Sequence, residues 1–183
     1  MKTKLFNRAA KKRLKKNLRK RRFVNYDKAE NILLLFESNE KSDALIKNTM
    51  KTLKNNKKNV IAWGFSNTKS IIENSTDEIK IFNKKNISIF QKPNKDVLKQ
   101  VKSFKFDLLI DLSLNASIPL MYLSLFAEAA MKISTKITDL QLFDFILDVK
   151  HKNQENSNTE KAINEQFIFD EIIFYLKSIQ TRD

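Results

Sequence analysis

Four short, almost uninterrupted apolar runs constrain this chain most: 31–37 (NILLLFE), 60–65 (VIAWGF), 106–112 (FDLLIDL) and 143–149 (FDFILDV). A strand that is wet on one face alternates apolar and polar residues. Near-continuous runs of strand length belong instead to strands covered on both faces. The stretches between them carry helical spacing. Residues 42–54 place Ala44, Leu45, Met50 and Leu53 on one face behind Ser42, a candidate cap. Residues 95–103 are a second helix candidate, and 117–130 a third, opened by Ser117 and Pro119. Residues 160–179 read as a closing amphipathic helix, with Ile163, Phe167, Ile168, Ile172, Tyr175, Leu176 and Ile179. A short helix is expected at 68–74, and further strands at 78–82 (EIKIF), 87–91 (ISIFQ) and 132–137. Buried strands alternating with helices imply an α/β fold: a Rossmann-like, mainly parallel sheet with helices on both faces.

The chain opens very differently. Five of its six arginines, Arg8, Arg13, Arg19, Arg21 and Arg22, lie in the first 22 residues. That segment holds 12 Lys+Arg and no Asp or Glu, so it carries +12 of the formal +14. Residues 23–183 are close to neutral, with 23 basic and 21 acidic side chains. The abundance of lysine and asparagine is what an A/T-rich genome produces, and scattered body lysines therefore mean little. Such a bias would not gather scarce arginines into one segment. Leu5, Phe6, Ala9, Ala10, Leu14 and Leu18 give that segment a thin apolar stripe at helical spacing. Alone in water its like charges repel, so the sequence describes a helix that orders when a partner neutralises it. Nucleic acid is the commonest polyanion that such a block meets. The candidate nucleic-acid contacts are Arg8, Lys11, Lys12, Arg13, Lys15, Lys16, Arg19, Lys20, Arg21 and Arg22.

Composition removes several chemistries. There is no cysteine, hence no disulfide, zinc knuckle, iron–sulfur site or thiol nucleophile. The single glycine, Gly64, sits at a strand end, so neither G-x-G-x-x-G nor a Walker A loop exists to cradle phosphates. The single histidine, His151, lies in a polar stretch, where it reads as a solvated loop residue. No apolar run reaches the length of about 18–20 residues needed to span a bilayer, and no apolar core follows the basic N-terminus as in a secretory signal. The expected location is the cytoplasm, and no cofactor or metal is expected.

Ligands of open parallel sheets bind beyond the carboxyl ends of the strands. There the sequence offers Ser38, Asn39, Ser66 and Asn67. It also offers Asp111, Ser113 and Asn115, whose alternation could line a cleft or simply satisfy backbone groups. An echo of the form F-D-φ-φ-φ-D, with φ apolar, occurs at 106–111 and 143–148. Its two aspartates stand about 13 Å apart on a strand, too far to share a metal, although Asp111 and Asp148 could approach if their strands were neighbours. The 14 phenylalanines, Trp63 and Tyr175 mostly sit beside Leu and Ile and read as core.

Residues 25–36, FDLLIDLS at 106–113, Ile118-Pro119-Leu120, residues 127–130 and FDFILD at 143–148 resemble an uncharacterised family of small α/β proteins from Bacteroidetes-type bacteria. The likeness covers nearly the whole chain and implies no activity or site residues. FDLLIDL followed by a helix also looks like the acceptor-side Rossmann half of heptosyltransferase-type glycosyltransferases, over about 25 residues.

The expectation is a basic helical extension over 1–24 and one α/β domain over 25–183. The expected function is non-catalytic binding to RNA, structured or ribosomal, with ribosomal or other proteins as further partners. A small-molecule-binding or glycosyltransferase-like domain and a peripheral protein on an anionic membrane are the alternatives.

Overall fold

The computed structural model describes residues 2–16, 19–68, 75–138, 140–149 and 163–179. Six strands form one all-parallel sheet: β1 (Asn31–Glu37), β2 (Asn59–Ser66), β3 (Ile79–Asn83), β4 (Lys105–Asp111), β5 (Glu128–Ser134) and β6 (Phe145–Ile146). Their order across the sheet is β3-β2-β1-β4-β5-β6. This is the doubly wound Rossmann order, with its switch point between β1 and β4. Among the described residues five α-helices cover it: α1 (Lys2–Lys16), α2 (Glu40–Asn55), α3 (Lys95–Lys102), α4 (Ile118–Phe126) and α5 (Glu165–Ser178).

The continuous apolar runs are explained by two cores. Along β1, Ile32, Leu34 and Phe36 pack under α2 and α5, while Leu33 and Leu35 pack under α1, α3 and α4. All five are fully buried. Gly64 is a packing residue. It pairs with Phe36 across β1 and β2, and a Cβ there would lie 2.6 Å from Phe36 Cζ.

Several expected elements shift. Asn39, not Ser42, caps α2: its side chain accepts from Ser42 N. The helix expected to 130 ends at Phe126, and Ala129 and Ala130 lie in β5. Alanine favours helix intrinsically, but here the ladder from Lys105↔Glu128 to Asp111↔Ser134 prevails. Residues 87–91 form no strand. Ile87 and Pro93 share one isolated bridge, and Gln91 turns the chain at φ 62°. Of 143–149 only Phe145 and Ile146 pair with β5. Most of the expected 68–74 helix and the whole His151 loop lie outside the described residues.

Gly64→Ala should destabilise the protein by about 1–3 kcal/mol in urea unfolding, as overpacking does. The same substitution in a Phe36→Leu background should cost clearly less. Equal costs in the two backgrounds would contradict the packing account.

Candidate nucleic-acid interface and strand-end cleft

The basic opening segment is attached to the sheet. α1 buries Phe6 and Ala10 against α4, and the Phe6 ring meets Tyr122 edge-on with centroids 4.9 Å apart. Fully burying a phenylalanine contributes about 1.5–3 kcal/mol. A 15-residue helix is marginal by itself, so this docking is what orders it. Apolar packing on the uncharged α4 of the same chain, and not neutralisation of its charge, is what fixes it.

Most of the arginines are engaged within the fold. Arg13 Nε donates to Leu125 O at 3.4 Å, and its guanidinium carbon lies 3.8 Å from the Phe126 ring centroid. Arg19 donates to Ala129 O and Ala130 O and pairs with Asp144. Arg21 donates to Gln141 O and lies 3.6 Å from the same carboxylate. Arg22 meets Asp107 at 3.4 Å. Asp107 and Asp144 are the first aspartates of the two F-D-φ-φ-φ-D echoes. Both stand at the amino ends of the sheet, the opposite edge from any ligand cleft. Burial alone would push the Asp107 carboxyl up. The N–H groups of Asn31 and Glu30, then the Arg22 guanidinium, outweigh that and hold it below the usual aspartate range.

Arg21 and Arg22 stay exposed beside their carboxylates, and the broader basic surface left open is the outer face of α1. Of its eight cations, Lys2, Lys4, Arg8, Lys11, Lys12, Lys15 and Lys16 are exposed and only Arg13 is partly covered. With 3.6 residues per turn these seven occupy one half of the helix circumference, opposite Phe6 and Ala10. Lys20 is also exposed, in the following segment.

At the carboxyl edge the three predicted cleft residues separate. Asp111 and Ser113 are buried and bonded to each other: Asp111 Oδ1 accepts from Ser113 N and, at 2.6 Å, from Ser113 Oγ. Asp111 Oδ2 lies 3.2 Å from Lys136 Nζ and 3.5 Å from Ser134 Oγ. Asn115 alone reaches the surface, where it lines a cavity of about 590 Å³ together with Thr135, Lys136, Asp148 and apolar side chains that include Val149 and Ile168. Asp148 does not join Asp111, because β5 separates their strands. Among the described residues no group of His, Cys, Asp and Glu is placed to hold a metal. At the first βα turn, Asn39 caps α2, Ser38 Oγ donates to Asp43, and Ser42 Oγ donates to the buried Glu165 of α5. The helix-end N–H of Ser42 is thus taken by the chain's own Asn39 side chain, with the Glu165 carboxylate beside it on the Ser42 hydroxyl. Ser66 is held by Thr68.

Sequence reasoning missed Lys132 and Lys136. Lys132 lies in β5 on the face otherwise filled by residues such as Leu33 and Leu109, and is 3% exposed. Its Nζ donates to Ser124 O near the end of α4, a helix with no basic residue in its own last turn. A cation there meets the negative end of the helix dipole. A lysine at an alternate position of a buried strand, inside EAAMKIS, was the available signal. Burial, then the nearby Arg19, lowers its pKa to about 7 against the pull of Asp144.

That depression has a sign. Between about pH 7 and 10.5 the unfolded chain binds the Lys132 proton that the folded chain has lost, so stability rises with pH. The slope is at most about 1.4 kcal/mol per pH unit. Lys132→Met should therefore raise stability at pH 7 and flatten this rise when urea unfolding is compared at pH 7 and pH 9.5. An unchanged slope in the variant would contradict the assignment.

Among the described residues no helix is long and apolar enough to cross a membrane. No curated protein and no solved structure matches the chain. A family model does match, over residues 2–179, in keeping with the resemblance to an uncharacterised α/β family. The chain belongs to DUF6913, a family of unknown function.

Proposed function

We propose that this protein is a non-catalytic RNA-binding protein that docks on structured RNA, ribosomal RNA in particular, through the exposed basic face of α1. One observation carries the reading. α1 is fixed on α4 by Phe6 and Ala10, with seven of its cations turned outward and no carboxylate on the helix. A rigid basic face loses less side-chain and backbone freedom on binding a phosphate backbone than a frayed arm does. Its 15 residues span about 22 Å, enough to follow several phosphates. The contact is directed by backbone and shape rather than by base edges. An interfacial membrane helix needs its apolar face for the lipid, and here that face is buried against α4. Arg19 is mostly used as scaffold, whereas Arg8, the lysines and the exposed Arg21 and Arg22 remain open to phosphates.

A second reading, a small molecule bound at the strand ends, is favoured by the cavity of about 590 Å³ beside Asn115 and Lys136.

If about six phosphates are contacted, log K should fall against log salt with a slope near −5. Replacing Lys11, Lys12, Lys15 and Lys16 together by Gln should make the slope shallower by roughly 3 and weaken binding at least tenfold near 0.1 M salt, with the melting temperature unchanged. Salt-insensitive binding, or full binding by the fourfold variant, would contradict the reading.

A further inference from the structure

A groove of about 310 Å³ runs between α1 and α4. α1 contributes Lys12, Arg13 and Lys16, α4 contributes Tyr122 and Phe126, and the loop before α3 contributes Lys92. α1 and the loop thus bring four cations to a floor formed by α4, and among the described residues no carboxylate lines the groove. Its parts are held in place. The Arg13 guanidinium carbon sits over the Phe126 ring, and Phe6 holds the Tyr122 ring from the side of α1. Lys92 belongs to a tight turn in which Ser88 N donates to Lys92 O, Gln91 N donates to Ser88 O, and Lys92 N donates to Ser88 Oγ. The same turn exposes Ile89 and Phe90.

This chemistry suits a nucleotide better than a bare phosphate. A phosphate needs only the cations, whereas a planar base gains by stacking on an aromatic ring or on a guanidinium plane. Bases inside a duplex are already stacked and cannot enter. The volume is at the small end of ligand sites, which fits one nucleotide and not a stacked pair. We propose that the groove between α1 and α4 takes one unpaired nucleotide of the bound RNA. Its base lies against the Arg13 guanidinium, and its phosphates lie on Lys12, Lys16 and Lys92. The proposal rests on the RNA-binding reading and narrows its target to RNA with a bulged or looped-out residue.

The test is fluorescence anisotropy with the full chain and three RNA hairpins at one salt concentration: a perfect stem, the same stem with a one-nucleotide bulge, and that bulge made abasic. The bulged hairpin should bind roughly five- to tenfold tighter than the other two, at the low end of what stacking one base contributes. Lys92→Gln lies outside α1 and should reduce the preference for the bulged hairpin over the perfect stem while leaving the melting temperature unchanged. Equal, salt-sensitive binding of all three hairpins would overturn the groove proposal and leave the outer-face reading standing. Binding to none of them, with flotation on phosphatidylserine vesicles instead, would overturn both.

Discussion

Two aspartates at the amino edge of the sheet hold the architecture together. Asp144 takes Arg19, Arg21 and the backbone N–H of Lys132. Asp107 takes Arg22 and the N–H groups of Glu30 and Asn31. Exposed ion pairs contribute little singly. These are reinforced by charge-assisted bonds to backbone groups, each worth about 1.5–3 kcal/mol, and they draw residues 19–31 across the ends of β4 and β5. Tyr26 continues the attachment: Asn56 donates to its hydroxyl, and Lys58 and Lys177 lie 4.9 and 4.8 Å from its ring centroid. Because this segment is anchored, α1 arrives on α4, its lysines face outward, and the groove beside Lys92 exists.

The two edges of the sheet are therefore put to different uses. At the amino edge, carboxylates receive the chain's own arginines. At the carboxyl edge, Asp111 pairs with Lys136 and accepts from Ser113, and Glu165 accepts from Ser42 in the first turn of α2. The first βα turn is closed by the chain's own side chains, and the single glycine is used for packing against Phe36. The outer face of α1 is the part of that basic helix which the fold itself does not consume.

Much of the fold was legible because buried parallel strands leave a strong trace. NILLLFE coincides with β1, and FDLLIDL is displaced from β4 by one residue. The boundary between α4 and β5 was not legible, since Ala127 to Ala130 favour helix and only pairing with β4 makes them strand. ISIFQ has the composition of a strand, but Gln91 breaks it into a turn that exposes Ile89 and Phe90. The arginines were visible as a cluster, but their role was not. A fork that matches phosphate matches carboxylates and carbonyls equally well. One clue separated the two roles: within the segment, lysines dominate 2–16, where an apolar stripe repeats, whereas arginines dominate 19–22, where none does. The contributions of Lys92 and Tyr122 depend on which elements meet in space and leave no local pattern.

The central claim is that the basic segment is part of the fold before any partner arrives. Amide hydrogen exchange on the free protein tests it most directly. The account predicts protection of the amides around Ala10 in α1 approaching that of α4, with a further loss of protection when Asp144 is replaced by Asn. Exchange of the α1 amides at the rate of an unstructured chain would contradict it.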